Sequence, residues 1–155
     1  MTPAVQVRAR ASIMKHEGLM LAAYDDATGR VVQPGHMVKG WITVGYGRNL
    51  IGRGITLPEA EYLLANDLSE VEAELNRRLP EWRRWAEPRQ WAIFELGFNL
   101  GVARFIAEWP TTVAHLRAGR FDRVAGILSG SKWRSQVGDS RALPIIRAFH
   151  RGVWT

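Results

Sequence analysis

At 155 residues and a net charge of +6, the chain has the size of one domain, or of one domain with two lobes. Hydrophobic residues make up 46% and charged residues 23%, which excludes intrinsic disorder and leaves enough apolar mass for a core. There are no cysteines, so disulfides and thiolate chemistry are excluded, and no apolar run approaches the roughly 20 residues that a membrane span needs.

Thr2-Pro3 predicts a first helix, with a capping hydroxyl and a proline in the first turn. It should run to His16 or Glu17 and stop at Gly18, with Ala9, Ile13 and Met14 on its inner face. Glycines then recur at 29, 35, 40, 45, 47, 52 and 54, and Pro34-Gly35 is a turn dipeptide. Between these breakers Val31-Val32 and Trp41-Ile42-Thr43-Val44 are β-branched or aromatic, and they predict a small antiparallel sheet.

Thr56-Leu57-Pro58-Glu59 has the form of a capping box. Leu64, Leu68, Val71, Leu75 and Leu79 then form one stripe of a long amphipathic helix that Pro80 should end. Pro88 opens a segment from Arg89 to Leu100 that is apolar on most sides and predicts a central buried helix. Pro110 to Gly119, Phe121 to Leu128, and a last helix capped by Asp139 or Ser140 and ended by Gly152 complete the chain.

The class that follows is α+β. A small β-containing lobe over about 18–55 is joined by a long helix, about 57–79, to an all-helical lobe over about 80–155 that also holds the first helix. No linker divides 1–155 into separate domains.

The charge is carried mostly by arginine and attracts polyanions without choosing among them. Four scattered histidines show no metal-ligand spacing, and no cofactor motif occurs. Met1 to Lys15 contains no apolar block of the kind a secretory signal carries.

Chemistry points to Glu17, Asp26 and Thr43, which border the predicted sheet. Glycosidic hydrolysis needs an acid for the leaving oxygen and an opposing group that activates water or steadies the cationic sugar. Alone the pair is weak, because most carboxylates are solvated and Asp25-Asp26 with Thr28-Gly29 is also an ordinary turn signal.

The surrounding residues narrow the choice. His16-Glu17-Gly18-Leu19, Ala23-Tyr24-Asp25-Asp26 and Trp41-Ile42-Thr43-Val44-Gly45-Tyr46-Gly47 resemble the phage lysozyme (endolysin) family of the T-even type, glycoside hydrolase family 24. Gly54-Ile55-Thr56, Asn66-Asp67, Phe98-Asn99-Leu100-Gly101, Ser131-Lys132-Trp133 and Gly152-Val153-Trp154 extend the likeness over nearly the whole chain. The resemblance implies a lysozyme-like fold, a monomer, and a muramidase in which Glu17, Asp26 and Thr43 are catalytic. The spacing selects Asp26, nine residues after Glu17, over Asp25.

Tyr24, Asn99, Trp133 and Arg141 are the candidate substrate-binding residues, Arg141 as the counterpart of a family Arg that pairs with the catalytic Glu. Trp133 reads equally as core or as a sugar platform. Arg48 stands where the family usually has His. Thr43 lies 17 residues after Asp26, further than in compact members, so Arg30 to Lys39 is expected to form an enlarged hairpin at the mouth of a cleft. Arg30, His36 and Lys39 would face the acidic substrate, unless the hairpin is a solvated flap.

The substrate implied is the β-1,4 bond between N-acetylmuramic acid and N-acetylglucosamine in peptidoglycan, with no metal or cofactor and no nucleic acid. The enzyme would wait in the host bacterial cytoplasm until a holin permeabilises the inner membrane, then reach the periplasm and wall. A lytic transglycosylase, which needs no Asp–Thr water site, and a non-enzymatic polyanion binder are the rivals.

Overall fold

Glycines and prolines set most of the boundaries in the computed structural model, which describes residues 1–154. In chain order the elements are helix α1 (Pro3–Glu17), strands β1 (Met20–Asp25), β2 (Arg30–Val31), β3 (Ile42–Gly45) and β4 (Arg48–Asn49), and the long helix α2 (Leu57–Arg78). A 3-10 turn (Pro80–Arg84) leads to α3 (Glu87–Leu100), α4 (Val102–Glu108), α5 (Pro110–Arg117), α6 (Phe121–Ser129), α7 (Lys132–Val137) and α8 (Asp139–Arg151). The fold is therefore α+β and lysozyme-like, mostly helical with one small antiparallel sheet. No helix among the described residues is long and apolar enough to cross a membrane.

The chain divides into two compact units, one of Met1–Ala60 and one beginning at Glu61. The first groups α1 with the sheet, whereas the sequence reading assigned that helix to the helical lobe. Pro3 opens α1 and Gly18, at φ 69°, ends it, but the Thr2 hydroxyl makes no capping bond. The expected inner face is not formed: no residue of α1 is buried, and Ile13 and Met14 are exposed. Val5, Val7, Ile13 and Met14 point to different sides of the helix and make no single apolar stripe.

The sheet has the order β2-β1-β3-β4, all pairs antiparallel. Its central strand β1 was not legible beforehand, because Met20-Leu21-Ala22-Ala23 has neither alternation nor β-branching. It becomes a strand by pairing on both edges, Tyr24 with Val31 on one side and with Thr43 on the other. The Arg30–Lys39 segment is not an enlarged hairpin. Only Arg30–Val31 is strand, and 32–41 is a connection that crosses from one edge of β1 to the other.

The capping signal at Thr56 is realised with an added partner. Glu59 Oε2 accepts from the Thr56 amide at 2.7 Å and from its hydroxyl at 2.8 Å. Arg48 closes a fork on the same carboxylate, at 3.0 and 2.8 Å, and its Nε donates to the Gly54 carbonyl at 2.8 Å. Arg48, the departure from the family pattern, thus ties β4 to the first turn of α2.

These donors, the Thr56 amide first, lower the Glu59 pKa to about 2. Because the folded value lies below the unfolded one, the stabilisation is complete above about pH 4.5 and drains away as the pH falls toward 2. Thermal melts of Glu59→Gln should therefore lie a few degrees below the natural protein at pH 7 and converge with it near pH 2. A gap that stays constant with pH would contradict this account.

In the second unit the core gathers on α3, which packs on α8 and α4. Ala92, Ile93 and Leu96 are fully buried with Leu75, Leu79, Leu116, Leu128 and Phe149, each large apolar side chain contributing about 1.5–3 kcal/mol. Gly97 permits the close approach, since a Cβ there would lie 2.9 Å from Val102 Cγ2 and 3.3 Å from Val71 Cγ1. The α2 stripe enters this core only from Val71 onward, and Leu64 and Leu68 remain exposed. α8 begins after Gly138 rather than from an Asp139 or Ser140 cap, runs through Pro144, and ends at Gly152 in the left-handed conformation.

Candidate active site

The candidate site is built on the sheet, and one acidic side chain organises it. Asp25, the last residue of β1, is buried, and its carboxylate accepts from the amides of Ala27 (3.1 Å), Lys39 (3.0 Å) and Gly40 (2.9 Å). These bonds, the Lys39 amide foremost, hold its pKa below the ordinary aspartate value. Asp25 thereby staples the returning end of the 32–41 connection to the β1–β2 turn.

Asp26 has the opposite character. It is exposed, its amide donates to the Trp41 carbonyl at 3.0 Å, and its Oδ1 accepts from the Trp41 amide at 2.6 Å. The register Tyr24–Thr43 and Asp25–Ile42 would place Asp26 opposite Trp41 in a continued ladder. The Asp26 carboxylate takes the amide that its own carbonyl would otherwise take. It is held at the end of the ladder by one bond, and its second oxygen has no partner among the described residues.

Thr43 is the direct cross-strand partner of Tyr24 and is only 4% exposed. Cross-strand partners share a face of the sheet, so Tyr24 and Thr43 stand side by side. The Thr43 hydroxyl donates to the Trp41 carbonyl at 3.4 Å. The Trp41 peptide thus contacts both Asp26 and Thr43.

Glu17 comes from the C-terminal end of α1. Its carboxylate lies over Gly47 in the β3–β4 turn, where a Cβ would stand 2.9 Å from Glu17 Oε2. Gly47 has φ +72°, so it serves both the turn and the approach of this carboxylate. Among the described residues Glu17 has no ion-pair or hydrogen-bonding side-chain partner. The structure sets Glu17 against the β3–β4 hairpin, and joins Asp26 and Thr43 through Trp41.

The other candidate residues lie in the second unit, apart from Tyr24. Trp133 is core: it is 2% exposed, and its indole N–H donates to Asn99 Oδ1 at 2.8 Å. This corrects the platform alternative, because an indole so enclosed has no face to offer a sugar. Asn99 keeps its amide group for other partners. Arg141 donates to Glu95 Oε2 at 3.2 Å, so its observed carboxylate partner lies on α3.

Three residues important to this geometry were not singled out beforehand: Asp25 as organiser, Trp41, and Gly40. A Cβ on Gly40 would lie 2.7 Å from Ala27 Cβ and 2.8 Å from the Ala27 nitrogen, and would also collide with Asp26 Oδ1. Only the glycine immediately before Trp41 hinted at such a close approach. Gly40→Ala is expected to displace Asp26 and to cut activity at least about tenfold, with a smaller loss of thermal stability. Full activity in this variant would show that the Asp26 position does not depend on the contact.

A protein-family model described as "Phage lysozyme" matches residues 14–147, a stretch that contains Glu17, Asp26 and Thr43. No curated protein matches the chain.

Proposed function

The chain belongs to the phage lysozyme family, and from that premise we propose that it is an endolysin whose catalytic groups are Glu17, Asp26 and Thr43. Membership makes it a peptidoglycan-hydrolysing enzyme of the lysozyme type. The finer reading is hydrolysis of the β-1,4 bond between N-acetylmuramic acid and N-acetylglucosamine, which lyses the bacterial cell.

The observation that carries this reading is the arrangement around the Trp41 peptide. It steadies Asp26 through its amide and Thr43 through its carbonyl, which leaves one Asp26 oxygen open for a water beside the Thr43 hydroxyl. Glu17, exposed over Gly47 and without a partner among the described residues, is free to meet the glycosidic oxygen. Protonation by Glu17 and attack by a water that Asp26 and Thr43 orient would complete an inverting hydrolysis. Tyr24, beside Thr43, would contact the glycan, and Asn99 and Arg141 remain proposed substrate contacts. In the phage setting a holin would admit the enzyme from the host cytoplasm to the wall.

Purified protein should clear a suspension of isolated peptidoglycan, releasing new reducing ends with the α-anomer formed first, as followed by early-time NMR. A β-anomer at early times would overturn the inverting assignment. An anhydro-sugar product would move the enzyme to the lytic transglycosylases.

A further inference from the structure

The Trp41 indole faces water beside the candidate catalytic residues. Six of the seven tryptophans lie in the second unit, and Trp82 and Trp133 are buried there in the core. Trp41 is 53% exposed, and of the described tryptophans only Trp154, near the C-terminal end, is exposed to a like degree, at 62%. Trp41 stands two residues before Thr43, the spacing that returns an extended chain's side chain to the same face of a sheet. That face also holds Tyr24, opposite Thr43. The Trp41 amide and carbonyl are committed to Asp26 and Thr43, which fixes the backbone from which the indole projects.

We infer that the Trp41 indole is a sugar-binding platform, taking the apolar face of a pyranose ring of the glycan next to the scissile bond. A pyranose offers axial C–H groups on one face and hydroxyls at its rim, and a flat, half-exposed aromatic surface fits that face. The rigid peptide beneath keeps the ordering cost of the contact small. The inference rests on the glycosidase reading above and adds a residue whose side chain binds substrate while its main chain positions Asp26.

Alanine and phenylalanine keep the backbone N–H and C=O that bond Asp26 and Thr43, so the two roles separate. Steady-state kinetics on soluble, uncrosslinked peptidoglycan glycan chains should show Trp41→Ala raising KM about tenfold, the effect of losing a few tens of Å² of apolar contact. Its kcat should stay within about twofold, and Trp41→Phe should restore most of the KM. The same glycan chains, titrated into Glu17→Gln protein, should bind about tenfold more weakly when Trp41→Ala is added.

Unchanged glycan binding in that double variant would overturn the inference, as would a loss confined to kcat. If Trp41→Ala does not fold, quenching in Glu17→Gln protein decides, with the Trp41 emission taken as the difference from the same protein carrying Trp41→Phe: acrylamide should reach that emission in free protein and be excluded once glycan is bound. Equal quenching in both states would likewise overturn it. Activity surviving in Glu17→Gln would instead strike the catalytic reading itself, so the two failures are distinguishable.

Discussion

Glu17→Gln is expected to abolish lysis while leaving the fold intact. Glu17 is exposed at the end of α1, and no hydrogen bond or ion pair among the described residues depends on its charge. The glutamine amide has nearly the same shape, so it can occupy the space over Gly47 that the carboxylate fills. It cannot deliver a proton to a departing sugar oxygen. General acid catalysis contributes about 10²–10⁴-fold to such a reaction, so turbidity loss should fall by at least that factor. Surface substitutions of this kind usually change stability by less than about 0.5 kcal/mol, and thermal melts should nearly coincide. A folded variant that still clears peptidoglycan at close to the natural rate would remove Glu17 from its role.

The neighbouring aspartates should fail in opposite ways. Asp26→Asn keeps an oxygen to accept from the Trp41 amide, so the ladder end should hold and the melting temperature should hardly move. Its amide is no base, and activity should drop by about 10²–10⁴-fold. Asp25→Asn meets three amides with a single oxygen, which leaves at least one N–H facing an NH2 group. The 32–41 connection should loosen and the melting temperature fall by several degrees, with measurable activity persisting well below the new transition.

The pH dependence separates the pair further. The folded Asp25 carboxyl titrates below its ordinary value, so its stabilisation is present above about pH 4 and is lost as the pH falls. The stability deficit of Asp25→Asn should therefore shrink in acid. Equal melting temperatures for the two variants at pH 7, or full activity in Asp26→Asn, would contradict the division of labour between them.

Local rules made much of the helical framework legible. Pro3, Pro88 and Pro110 each stand in the first turn of a helix, Gly18 and Gly152 follow helix ends, and Thr56 with Glu59 marks the start of α2. These signals act within a few residues, through backbone geometry and orphan amides, so the sequence alone suffices to find them. The short α4 carried no comparable start signal, whereas α7 carried one that went unread, Ser131, whose hydroxyl accepts from the Arg134 amide at 3.4 Å.

Residue order also nominated the candidate catalytic positions, because Glu17, Asp26 and Thr43 fall at spacings the phage lysozyme resemblance supplies. What no local pattern contains is long-range partnership. Met20–Asp25 is a strand only because two other segments pair with it, and Arg30–Lys39 is a crossing rather than a hairpin because β3 joins the opposite edge of β1. Trp133 is core because α3 brings Asn99 to its N–H. Asp25 is the organiser and Asp26 the open carboxylate because Lys39 and Gly40 return, 14 and 15 residues later, to the first of them. Composition excluded disorder, the pattern of turns and periodicities set the class of fold, and short-range chemistry set the ends of its helices. Burial and pairing between distant residues, which depend on where the chain returns in space, decided which side chains are free to react.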